Sequence, residues 1–334
     1  MPTPGSLMAS EIAEQPEVLA RLLRDGTAAA TQARAAIEHY RPRFALFAAR
    51  GTSDHAALYG KYLAEVHLDL PAGLASPSSV TVYGSRPDMH GVLFVVVSQS
   101  GESPDLVESL QVARHCGALT VAVTNNADSP LARAADKHVD VLAGAELAVA
   151  ATKTYTAQLL ALHLVLGTGD PAAVPDAAAR TLEHAAGAHR AAQRFQDTDR
   201  LVTTGRGFSY PTAREAALKL METSYLAAQA FSGADLLHGP LAMLGPDVPV
   251  IAMTTPGRGA AAMAPVLERL AAADVEVLRV GPADGLPVAS DGIHESLLPI
   301  LEILPLQQLA WRLAVDRGGD PDRPRGLSKV TETW

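Results

Sequence analysis

One cysteine among 334 residues, Cys116, leaves no partner for an internal disulfide, so packing alone has to hold this chain together. Aromatic residues make up only 4%, and basic residues are outnumbered 27 to 36, giving a formal charge of −9. A net acidic surface cannot displace counterions from a nucleic acid and is repelled by anionic lipid headgroups, so neither is an expected partner. Long apolar runs are missing too. The longest, "SLLPILEILPLQQLAWRLAV" at 296–315, carries Glu302, two prolines and two glutamines that hydrocarbon would leave unsatisfied, and it predicts a packed helix. The start "MPTPGSLMASEIAEQP" lacks the basic residues and apolar stretch of a secretion signal, which with the single thiol points to the cytoplasm. No metal-ligand spacing, nucleophile elbow or Walker loop occurs, so neither a metal nor a cofactor is expected.

What is abundant is apolar residue, 48% of the chain, enough for one large core or two ordinary ones. "RFALFAARGTSDHAALYGKYLAEV" reads as a strand near 43–49, a glycine turn and a helix from about Ser53. Further strands are expected at 92–97, 119–124, 138–142, 200–204, 248–254 and 275–280, with helical patterns between most of them. Strands alternating with helices predict an α/β class with mainly parallel sheets covered on both faces. An internal repeat divides the chain. "RG" at 50–51 recurs at 206–207, "VVVSQSG" at 95–101 as "IAMTTPG" at 251–257, and "LTVAVTN" at 119–125 as "VEVLRVG" at 275–281, all offset by 156 residues. "QLLALHLVLGTGDP" at 158–171 matches "QLAWRLAVDRGGDP" at 308–321 with an offset of 150. The expected organisation is an N-terminal helical segment 1–40, a first subdomain 41–171, a helical connector 172–195, a second subdomain 196–317 and a tail 318–334.

Several stretches carry chemistry. In "VVVSQSGESPDLVESL", residues 95–110, an apolar strand ends in hydroxyls and restarts as a helix. Ligands of parallel α/β sheets bind beyond the carboxyl ends of the strands, where helix N-termini offer unpaired N–H groups. Ser98, Gln99, Ser100 and Ser103, with Ser53 of "GTS" beside them, therefore suit a phosphate monoester. The competing explanation is plain capping by Ser100 or Ser103 ahead of Pro104. "YPTAREAALKLMETSYLAAQAF" at 210–231 reads as a helix with Lys219 and Glu222 on one face, either a solvated ion pair or, among Leu218, Leu220 and Met221, a buried acid/base. "LLHGPLAML" exposes His238 before a Gly-Pro turn, as a surface residue or a proton relay. The tail "PDRPRGLSKVTETW" reads as frayed unless Val330 and Trp334 anchor it, with Lys329 solvated in the frayed case.

Taken together, "SQSGES", "AVAATKTYTAQ", "GRGFSYPTAREAALKL", "LHGPLA" and "LSKVTE" resemble the sugar isomerase (SIS) family. The likeness is to the branch holding the isomerase half of glucosamine-6-phosphate synthases and the stand-alone glucosamine-6-phosphate deaminases, and it runs from "EIAEQP" at 11–16 to the C-terminus. It implies two tandem SIS subdomains, each a doubly wound, flavodoxin-like, mainly parallel five-stranded sheet, in a homodimer whose sites are each completed by a neighbour's histidine. It further implies a sugar-phosphate substrate. Ser98, Gln99, Ser100 and Ser103 match the family's phosphate loop, with Ser53 beside it. Val149 and Ala150 match backbone positions that touch the sugar, although Ala151 replaces a serine found in the synthases. Glu222 matches the acid/base moving a proton between C1 and C2, His238 the ring-opening histidine, Lys219 a helper and Lys329 an imine-forming amine. Because the likeness begins within ten residues of Met1, the glutaminase of a synthase is not expected, and Arg50 stands where synthases carry a small residue. The expected reaction is deamination of glucosamine 6-phosphate to fructose 6-phosphate. Two alternatives remain: β-elimination of the C3 hydroxyl from the N-acetylated sugar with the same base, and sugar-phosphate sensing without turnover.

Overall fold

The computed structural model describes residues 3–329, and Val330 and Trp334 lie outside them. The chain divides into two compact units. One consists of Glu17–Glu146 with Lys153–Asp170; the other takes the residues up to Pro16, Leu147–Thr152 and Pro171–Lys329.

The first unit is a five-stranded parallel sheet of β1 (Phe44–Ala48), β2 (Ala72–Leu74), β3 (Val92–Ser98), β4 (Leu119–Thr124) and β5 (Lys137–Asp140) in the order β2-β1-β3-β4-β5. Strand β3, "VLFVVVS", is buried at every position but its first, as a central strand covered on both faces requires. One covering helix, Lys153–Leu166, buries all but one of its residues, so its Thr154, Thr156, Gln158 and His163 lie inside with the leucines. The second unit repeats the topology with β6 (Arg200–Gly205), β7 (Ala227–Ser232), β8 (Val250–Met253), β9 (Val277–Gly281) and β10 (Leu286–Pro287), ordered β10-β9-β8-β6-β7 and again parallel. Both orders read 2-1-3-4-5 from their own first strand, the flavodoxin-like winding. The α/β class and the tandem arrangement expected from the repeat are thus present. Strands β1 and β6 begin 156 residues apart, and the long apolar run forms the buried helix Leu298–Asp316.

Three strands escape the sequence reading. Strand β7 is a correction: the helix expected through residue 231 ends at Ser224, because Tyr225 takes a left-handed conformation at φ 57° whose N–H bonds Leu220 O. "AAQAFS" then pairs with β6 in the register Leu201↔Ala228. Alanine favours helix, and only pairing to a neighbouring strand overrides that preference. Strands β2 and β10 are three and two residues long, too short to show a period, and both lie on edges. Boundaries also move inward at β8 and β9, where buried Val248 and Val275 belong to turns bonded to Gly245 O and Leu270 O.

Candidate functional site

In the first unit β1 and β3 are neighbours in the register Ala48↔Val96, so the residues two positions further on, Arg50 and Ser98, leave the sheet side by side. Gly51 turns the chain at φ 55°, and Ser53 follows in the first turn of the helix Thr52–His67. Ser53 is buried, and its Oγ accepts from Gln158 Nε2 at 3.0 Å. Beyond β3, Ser98 Oγ accepts from the N–H of Gly101 at 3.1 Å and Ser100 Oγ from that of Glu102 at 3.2 Å. Ser103 stands at the N-cap of the helix Pro104–His115, yet its side chain makes no capping bond. Plain capping therefore does not account for these serines. In each of these bonds the hydroxyl accepts, and its own proton is left to donate toward an anion. Gln99 is fixed twice: its carbonyl accepts from Asn125 N at 3.0 Å, and its Nε2 donates to Glu146 Oε2 at 3.0 Å. Buried Glu146 also receives the N–H of Thr154 at 3.0 Å, at the start of the helix Lys153–Leu166. Gly101 is required here, with φ at 69° and a Cβ that would lie 2.3 Å from Ser129 Oγ.

The second unit carries the ionisable groups expected to act on the sugar. On the helix Tyr210–Ser224, the side chains of Lys219 and Glu215 are 1% and 0% exposed and that of Glu222 is 20% exposed. Lys219 Nζ lies 2.5 Å from Glu222 Oε2 and 3.4 Å from Glu215 Oε1. The pair is thus not a solvated face: one buried ammonium serves two carboxylates, and only Glu222 reaches solvent. The segment Leu147–Thr152 is pinned by Glu11, whose carboxylate takes the N–H groups of Leu147 and Ala148. Val149 N donates to Asp322 O at 3.1 Å, and Ala150 is buried with Met8, Ile12 and Ala148. Lys329 is half-buried, and its Nζ donates to Ala148 O at 2.6 Å. The tail lysine thus meets the segment expected to touch the sugar. His238 follows the short helix Gly233–Leu237 and is exposed, its N–H bonded to Asp235 O.

The repeat also gives the first unit's hydroxyl nest a counterpart, closed in a way the sequence did not reveal. Ser209, at the 156-residue offset from Ser53, donates to Glu302 Oε1 at 3.0 Å, and Gly259 N donates to Glu295 Oε1 at 2.7 Å. Two of the chain's own carboxylates take these donors. Glu302 is fully buried, and burial pushes its pKa up to about 7, against the hydrogen bond from Ser209, with nearby Glu295 raising it further. Glu302 was legible only as a polar flaw in an apolar run. Among the described residues no group of three histidine, cysteine or acidic side chains could hold a metal, and no helix is long and apolar enough to cross a membrane.

Comparison with known proteins agrees with this architecture. A model of the SIS domain matches residues 40–168 and 194–290. Glutamine–fructose-6-phosphate aminotransferase of Methanothermobacter thermautotrophicus is 36% identical over 299 residues, covering 85% of this chain and 50% of that protein, so the chain spans about half the length of such relatives. The crystal structure of a Silicibacter pomeroyi DSS-3 protein, provisionally assigned as a phosphosugar isomerase, superposes with a TM-score of 0.85 at 32% identity, over 94% of this chain and 99% of that one. Glucosamine-6-phosphate deaminase of Thermotoga maritima shares the fold at 21% identity, with a TM-score of 0.80 over 98% of this chain and 100% of its own. With both halves of the repeat matched and two such winding orders in one chain, the protein belongs to the SIS-domain family, related to the isomerase half of glutamine–fructose-6-phosphate aminotransferase.

Proposed function

We propose that the protein is an enzyme converting glucosamine 6-phosphate and water to fructose 6-phosphate and ammonia. The observation that carries this reading is the Lys219–Glu222 pair: a buried ammonium holds a carboxylate that still reaches solvent, as a base acting on a bound sugar must. Support comes also from relatives named for fructose 6-phosphate and from a hydroxyl nest suited to a phosphate monoester.

In this reading Ser53, Ser98, Ser100 and Ser103, with Gln99, hold the 6-phosphate, and the backbone at Val149 and Ala150 meets the sugar. His238, contributed across a homodimer to the neighbouring subunit, opens the ring by giving a proton to the ring oxygen while the C1 hydroxyl loses one. Glu222 removes the C2 proton; the electron pair forms the C1–C2 double bond, and the aldehyde oxygen takes up a proton. Glu222 then returns its proton to C1 while the C2 nitrogen gives up one in place of the proton gained by the oxygen, leaving an imine at C2. Lys329 displaces ammonia there through its own imine, and water hydrolyses that link, so one water is consumed for each ammonia released. Lys219 orients Glu222.

The test incubates the purified chain with glucosamine 6-phosphate and, separately, with its N-acetylated form. Ammonia and fructose 6-phosphate from the first substrate support the reading. A new ultraviolet absorbance from the second alone would replace it with β-elimination, and binding of either without turnover would replace it with sensing.

A further inference from the structure

The hydroxyl nest has a charge problem. The helix Pro104–His115 that opens at Ser103 carries Asp105 in its first turn, with a side chain only 1% exposed, so a bound dianion would meet a buried carboxylate near the same N-terminus. Asp105 Oδ1 accepts from Leu106 N at 2.8 Å, while Oδ2 accepts from both Nε and Nη2 of Arg50, at 2.9 and 2.7 Å. Arg50 leaves β1 beside Ser98, and its side chain remains 47% exposed. Because both contacts use the Nε–Nη2 edge of the guanidinium, Nη1 is not consumed by Asp105. The second repeat supplies an internal comparison. Arg206 stands at the equivalent place, but Ala261 occupies the position of Asp105, and there the nest is closed by Glu295 and Glu302. The Arg–Asp pair thus occurs in the repeat whose hydroxyls are open.

We propose that Arg50, positioned by Asp105, is a binding residue for the substrate's phosphate group and brings a cation to the neutral serines and glutamine of the nest. Guanidinium and phosphate match in geometry, and a charged bond of this kind is roughly twice as strong as a neutral one. This rests on the reading of the nest as the phosphate site.

The experiment measures binding of glucosamine 6-phosphate and of inorganic phosphate by calorimetry, at about 0.02 M and about 0.3 M NaCl, since a partly exposed charge is screened over that range. Wild-type affinity should fall severalfold with salt. Arg50→Gln should weaken binding by about 10-fold or more and flatten the salt response. Arg50→Lys, which keeps the charge and serves if the first variant does not fold, should retain that response. The double variant Arg50→Gln/Asp105→Asn should stay weak, whereas a return to wild-type affinity would mean that Arg50 only neutralises Asp105 and would overturn the proposal. A lower melting temperature in Arg50→Gln with unchanged affinity and salt response would do the same. Ser100→Ala separates the two readings. If it loses affinity while Arg50→Gln does not, the nest stands and the role of Arg50 falls; if neither loses affinity, the nest itself is refuted.

Discussion

Glu222 and Glu302 are both glutamates on helices of the second unit, and their surroundings give them opposite roles. Glu222 is held by an ammonium and reaches solvent, whereas Glu302 is fully buried among hydroxyls. Replacing Glu222 by Gln keeps an acceptor for Lys219 but removes the base. Turnover should drop about 10²- to 10⁴-fold, with affinity for glucosamine 6-phosphate changed only a few-fold. Steady-state kinetics alongside calorimetry checks this, and an unimpaired rate would remove Glu222 from the chemistry. For Glu302 the sign follows from proton binding. The unfolded chain loses this proton near 4.5 and the native state near 7, so the native state binds more protons between those values and stability falls as pH rises through them. At about 1.4 kcal/mol per pH unit the loss is on the order of 3 kcal/mol, complete above about pH 7.5. Glu302→Gln lacks that loss. Its melting temperature relative to wild type should rise from pH 5 to pH 8, and a pH-independent difference would show that Glu302 ionises normally.

The serine loop after β3 depends on the backbone that shapes it. Gly101 takes a left-handed conformation in the turn after β3, and its carbonyl accepts from Leu131 N at 3.1 Å. A methyl group there would strain φ and strike Ser129 Oγ, so Gly101→Ala should cost about 2 to 3 kcal/mol and weaken phosphate binding as the turn reopens. Chemical denaturation with phosphate titration reads both, and a variant as stable as wild type would show that the turn has another conformation. At this scale the sequence was a good guide where strands are apolar and central, as in β3 and β4, and a poor one where pairing decides. The alanines of β7 carry no strand preference of their own, and Tyr225 ends its helix through a backbone angle that no residue pattern announces.

For the whole molecule, the proposed homodimer makes a prediction that single-chain chemistry cannot mimic. Glu222→Gln and His238→Ala chains are each expected to be inactive. If His238 completes the neighbour's site, a mixed dimer regains one intact site of two. Unfolding the two together and refolding at equal amounts should then restore about one quarter of wild-type activity, as random pairing in a two-fold dimer requires. No recovery, with mixed dimers verified by mass spectrometry, would place His238 in its own subunit's site or outside the chemistry.

What the sequence by itself determined is the class of the protein: a repeat at a constant offset, apolar strands alternating with helices, and hydroxyls placed where a parallel sheet ends. The strand and hydroxyl patterns are set by neighbours a few residues apart and the repeat by comparing one stretch of chain with another, so all three are legible without knowledge of the fold. Tertiary structure alone decided which way the hydroxyls are used, because that depends on partners far away in the chain. Ser53 meets Gln158, Arg50 meets Asp105, Lys329 meets Ala148 and Ser209 meets Glu302, at separations of 105, 55, 181 and 93 residues. Contacts of that range arise from packing of the sheets and helices, so a charge such as Glu302 can look like a flaw in the sequence and prove, in the fold, to be the group that closes the second nest.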